Sequence, residues 1–103
     1  MQTEIMAQGE FDKAVQNNNC TLIFYSNQTV ERKNYYADIA QKACGVLYKV
    51  FTINIDNVTL SEASIAAYQQ GILVACCAIL ADGKVVYKKV EPDPVEFELS
   101  IKC

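Results

Sequence analysis

Thr21-Leu22-Ile23-Phe24-Tyr25, left through the polar turn Ser26-Asn27-Gln28-Thr29, is the stretch whose reading decides the fold of this chain. It is β-branched and aromatic with no polar alternation, so the strand it predicts is covered on both faces and lies in the middle of a sheet. A helix follows directly. From Val30 to Cys44 the sets Tyr35/Ile39/Ala43 and Tyr36/Ala40/Cys44 recur four residues apart, Asp38 precedes Lys42 in the favourable order, and Gly45 supplies the stop. Thr29 stands where an N-cap belongs. Arg32 and Lys33 are read as a solvated helix face, and Tyr35 and Tyr36 as packed rings with only their hydroxyls wet.

Outward from this unit the elements alternate, without repeats or low-complexity tracts. Glu4 to Met6 is expected as a short edge strand and Glu10 to Gln16 as a short helix, with Phe11, Ala14 and Val15 as its apolar stripe, ended by Asn17-Asn18-Asn19. Lys49 to Ile55 makes a second strand. Thr59-Leu60-Ser61-Glu62 has the form of a capping box for a helix that Gly71 ends. Val74 to Leu80 and Lys84 to Val90 flank Asp82-Gly83, a tight-hairpin signal. The order is β-α-β-α-β-α-β-β, and then two periods compete. Asp93-Pro94-Val95-Glu96 is a helix start, whereas Val95, Phe97, Leu99 and Ile101 alternate as a half-buried strand does. A helix would put Val95 and Leu99 on the sheet and leave Phe97 and Ile101 partly exposed, whereas a strand would put all four on one apolar face.

Composition narrows the function classes. The 103 residues, 51% of them apolar, suit one domain over 1–103 with a single core. A net charge of −3, with nine scattered Lys and Arg, carries no footprint for nucleic acid. No apolar run approaches the roughly 20 residues of a spanning helix, and Met1-Gln2-Thr3-Glu4 has no signal-peptide pattern, so a soluble cytoplasmic protein is expected. Three N-x-T sequons, at Asn19, Asn27 and Asn57, do not outweigh that absence. The five cysteines, Cys20, Cys44, Cys76, Cys77 and Cys103, include no C-x-x-C, and the chain has no histidine. A zinc site is therefore disfavoured, and the thiols are expected to fill core space.

Phe24-Tyr25, Asn54-Ile55-Asp56 and Asp82-Gly83, in this order of elements, resemble the marks of a thioredoxin over about Glu4 to Leu99. The resemblance implies a three-layer α/β/α fold with a mixed central sheet, and it favours the helix from Pro94 over the strand. It fails at every position that carries the family's chemistry. With Phe24-Tyr25 aligned, the two exchanging cysteines fall on Thr29 and Arg32, the buried acid on Ile23, and the cis-proline on Val74 or Ala75. Thiol exchange needs a thiolate, and a threonine hydroxyl does not replace one. A non-proline at the cis position implies a trans peptide and puts glutathione binding in doubt.

The expected function follows by elimination: a redox-inactive domain that binds another protein or acts as a scaffold, with no cofactor and no metal. Tyr25, Asn27 and Gln28 are the candidate contact surface, and a monomer is expected. Two alternatives stay open. Cys76 or Cys77, which strand alternation sends to opposite faces, is the candidate thiol of a one-cysteine enzyme or redox sensor. A homo-oligomeric structural subunit would use an open sheet edge.

Overall fold

The computed structural model describes residues 2–16, 19–44, 49–69 and 76–101. Gly45, Gly71, Val74 and Ala75, on which expectations above rest, lie outside them, as does the Cys44 side chain. The elements are β1 (Gln2–Ile5), α1 (Gln8–Val15), β2 (Cys20–Tyr25), α2 (Val30–Cys44), β3 (Lys49–Asn54), α3 (Glu62–Tyr68), β4 (Cys76–Ala81), β5 (Lys84–Val90) and α4 (Pro94–Ser100).

The five strands form one mixed sheet in the order β1-β3-β2-β4-β5. β3 runs parallel to β1 and β2, with Phe24 beside Ile53, and β4 runs antiparallel to β2 and β5. β2 thus sits at the centre, as its unbroken apolar run requires, and all six of its residues are buried. Alternation divides the core. Leu22, Phe24, Phe51, Ile53, Cys76 and Ala78 face α1, where Phe11 meets the Phe24 ring at 6.1 Å. Ile23, Val50, Cys77 and Ile79 face Tyr36, Ala37 and Ala40 of α2 and Phe97 and Ile101 of α4. Asp82 and Gly83 both take positive φ, 53° and 77°, the paired left-handed residues of a two-residue hairpin turn.

Four expectations need correction. β1 begins at Gln2 and ends at Ile5, and α1 starts at Gln8, two residues before Glu10. The third helix is capped by Ser61, whose Oγ accepts the Ser64 N–H, and not by Thr59. Val58 and Leu60 are both buried, which keeps the chain extended through Thr59. Gln8 then fixes the start by accepting the Ser61 N–H at 2.6 Å. At the C-terminus the helix forms and Asp93 caps it, accepting the Glu96 N–H at 3.0 Å, but its buried face is the reverse of the one expected. Phe97 and Ile101 are buried, whereas Val95 and Leu99 are 63% and 76% exposed. Both pairs are four apart, and the aromatic ring decides: Phe97 meets Tyr36 edge-on at 5.5 Å and Tyr87 at 6.2 Å.

Candidate functional site

The carboxyl ends of β2 and β3 meet the amino end of α2, and the residues there bind one another. Thr29 N–H donates to the Ser26 carbonyl at 3.0 Å, and Ser26 N–H donates back to Thr29 Oγ1 at 2.9 Å. The two hydroxyls are 3.3 Å apart, and Ser26 Oγ also accepts the Gln28 N–H at 3.3 Å. The Thr29 carbonyl takes the first helical bond, from Lys33 N–H at 3.0 Å. Thr29 therefore occupies the N-cap position, but its hydroxyl serves the turn behind it.

The turn is also joined to the segment after β3. Asn27 N–H donates to Asp56 Oδ2 at 2.7 Å, and Asn54 Nδ2 donates to Asn27 Oδ1 at 2.8 Å. Asp56 N–H returns to Asn54 Oδ1 at 2.9 Å. These bonds hold Asn27 and Gln28 at the surface. Tyr25 is only 6% exposed, so it adds little to the contact surface expected of it. Its hydroxyl donates to Glu4 Oε1 at 2.9 Å, an oxygen that Thr52 also engages, and Lys33 Nζ lies 4.6 Å from its ring centre. Burial first, and the Glu4 carboxylate second, push the Tyr25 phenol up to about 12. Asp56 lines a cleft of about 270 Å³ beside the turn, with Ile55, Val58, Leu60 and Ile65.

Arg32 is exposed, as a solvated helix face requires, and it is also paired. Its Nε donates to Glu91 Oε2 at 3.1 Å and its Nη2 to the Tyr36 hydroxyl at 2.9 Å. The guanidinium lies 4.9 Å and 5.0 Å from the ring centres of Tyr35 and Tyr36. Tyr36 is buried and donates its own hydroxyl proton to the Pro92 carbonyl at 2.7 Å. Tyr35 is 43% exposed, more than the packed ring expected. Glu91 and Pro92 had no mark in the sequence that paired them with α2.

Cys76 and Cys77 are both buried, and they do point to opposite faces. Burial raises the Cys77 thiol well above its ordinary range, with Cys76 and Glu91 adding to the shift and Arg32 opposing it. Cys20, also buried, is pushed up to about 12 by the same loss of water. Such thiols stay protonated at neutral pH and are weak nucleophiles. Among the described residues no group of three or more Cys, Asp or Glu side chains is placed to hold a metal ion, and no helix is long and apolar enough to cross a membrane.

No family model and no curated protein matches the chain. Solved structures do. A thioredoxin pre-protein of Schistosoma mansoni superposes with a TM-score of 0.72 at 13% identity, over 97% of this chain and 94% of that one. This is the thioredoxin fold. A mutant thioredoxin from Halobacterium salinarum gives 0.69 at 19% identity, covering 97% of this chain and 87% of its own. Mitochondrial thioredoxin 3 of Saccharomyces cerevisiae gives 0.70 at 16%, covering 96% and 92%. The turn from Ser26 to Arg32 holds no cysteine in this chain.

Proposed function

We propose that this chain is a redox-inactive domain of thioredoxin fold that binds another protein, in the cytoplasm and as a monomer. The observation that carries the reading is the closed hydrogen bonding of Ser26 and Thr29 with Arg32 tied to Glu91. A helix amino end that lowers a thiol's pKa elsewhere here holds no thiol to activate. The partner's contact is placed on the exposed Asn27 and Gln28 and on the neighbouring cleft at Ile55 and Ile65, which shares Asp56 with the turn.

Burial of Cys76 and Cys77 disfavours the one-cysteine alternative, and β5, one of the two sheet edges, is poorly suited to the structural-subunit one. β5 carries Lys84, Lys88 and Lys89 and an irregular register at Ile79/Leu80, two features that hinder strand addition. The test is reduction of insulin disulfides with a chemical or enzymatic electron donor. No turnover is expected, and catalytic turnover contradicts the proposal. Repeating the assay with Cys76→Ser and Cys77→Ser then tells whether those thiols are its source. For the partner, affinity purification from the native source is compared with the Gln28→Arg protein. A partner retained equally by both places the contact elsewhere.

A further inference from the structure

α4 is anchored differently from every strand it follows. Its buried side chain is Phe97, with Ile101 buried at the cap, while Val95 and Leu99 on the opposite face stand in water. The remaining ties lie at its rim and are polar. Glu96 Oε1 accepts from Lys89 Nζ at 2.6 Å and from the Tyr87 hydroxyl at 3.0 Å. Arg32 holds Glu91, and Tyr36 holds the Pro92 carbonyl, just before the helix. Glu91 itself has φ +44°, a left-handed backbone that a glutamate adopts at a cost. Seven residues whose apolar groups alternate at period two have little helicity of their own, so α4 persists by docking.

On the sheet face that α4 shares with α2 lies Cys77, in one cluster with Phe97 and Ile101 and with Tyr36, Ala37 and Ala40 of α2. Cys76 and Cys20 belong to the cluster on the other face, beneath α1. Loss of α4 therefore removes part of the cover of Cys77, the part that α2 does not supply, and leaves the cluster of the other two untouched.

We propose that α4 is a latch over Cys77, held by the Arg32–Glu91 and Tyr36–Pro92 contacts, that opens as a unit while the sheet stays folded. The elements with few buried contacts open first, at a free energy below that of global unfolding. The latch is independent of whether a partner binds at Asn27 and Gln28.

The native protein is exposed to N-ethylmaleimide, and modification of Cys20, Cys76 and Cys77 is followed by fragment-resolved mass spectrometry. Cys77 is expected to react ahead of the other two by about tenfold or more. Arg32→Met, which leaves the β5 backbone untouched, is expected to raise the Cys77 rate by about fivefold with Cys76 and Cys20 unchanged. Phe97→Ala should raise it further. Equal rates for the three thiols, or a parallel rise of all three in Arg32→Met, would mean that only whole-domain unfolding exposes them and overturns the latch. If Phe97→Ala does not fold, amide exchange on the unaltered protein decides. Amides of Phe97 to Ile101 as protected as those of β2 and β4 contradict the proposal, and faster exchange confined to α4 supports it.

Discussion

β2 and the turn that follows it are adjacent in the chain and opposite in character. From Cys20 to Tyr25 every side chain is buried, packed on both faces and flanked by strands on both sides. Asn27 and Gln28, two residues later, are exposed, and their neighbours bind one another through hydroxyls and carboxamides. The strand is specified by volume and apolarity that many residues supply. The turn is specified by which polar atoms are present, and its bonds are separate from the packing of the sheet. A thioredoxin fold and a turn without cysteine therefore stand side by side in one short stretch.

The contrast breaks if core and turn respond alike to truncation. Phe24→Ala removes a fully buried ring that touches Phe11, and is expected to cost about 3–5 kcal/mol in a denaturant melt. A loss below about 1 kcal/mol would mean that this strand is not the centre of the core. Thr21 refines the picture, because its buried hydroxyl has no hydrogen-bond partner among the described residues. Thr21→Val keeps the shape and removes that oxygen, so it should stabilise by about 1 kcal/mol. For a domain of this size the melting temperature should then rise by about 4–8 °C. A fall in melting temperature would show that the hydroxyl is satisfied. At the turn, Gln28→Ala should stay within about 0.5 kcal/mol of the parent, since its side chain supports no buried contact.

Acid should act on α4 before it acts on the sheet. The Lys89 bond, and then the Tyr87 bond, hold the exposed Glu96 carboxyl below its ordinary range. Its folded pKa is thus lower than its unfolded one. The contribution is complete above the unfolded value and is lost as pH falls through the folded value. Chemical shifts of α4 should move in that acidic window while those of β2 hold, and Glu96→Gln should abolish the movement. The effect is small, because the pair is solvent-exposed.

The elements that the sequence makes legible are those whose burial is two-sided or whose caps are local. β2 is one case, and the Asp82-Gly83 hairpin and the Asp93 cap of α4 are others. The face on which α4 packs was not legible, because Val95/Leu99 and Phe97/Ile101 are equally spaced and the choice rests on the distant rings of Tyr36 and Tyr87. The same holds for the cap at Ser61, which depends on Gln8 of another helix. Within the turn, the absence of cysteine from Ser26 to Arg32 is plain in the sequence. The ties from Asn27 to Asp56 and from Arg32 to Glu91 span 29 and 59 residues, and no local pattern encodes them.

The central claim is that the turn from Ser26 to Arg32 has the backbone geometry of the thioredoxin exchange turn without its thiols, a reading proposed from the shared fold. Thr29→Cys with Arg32→Cys tests it most directly. The first turn of α2 should place the two Cα atoms within the roughly 4.4–6.8 Å that a disulfide spans. The account predicts an intramolecular bond between these two cysteines, found by mass spectrometry after mild oxidation of the folded protein and absent from either single variant. A double variant that folds, with both thiols accessible, and still fails to close this bond would contradict it.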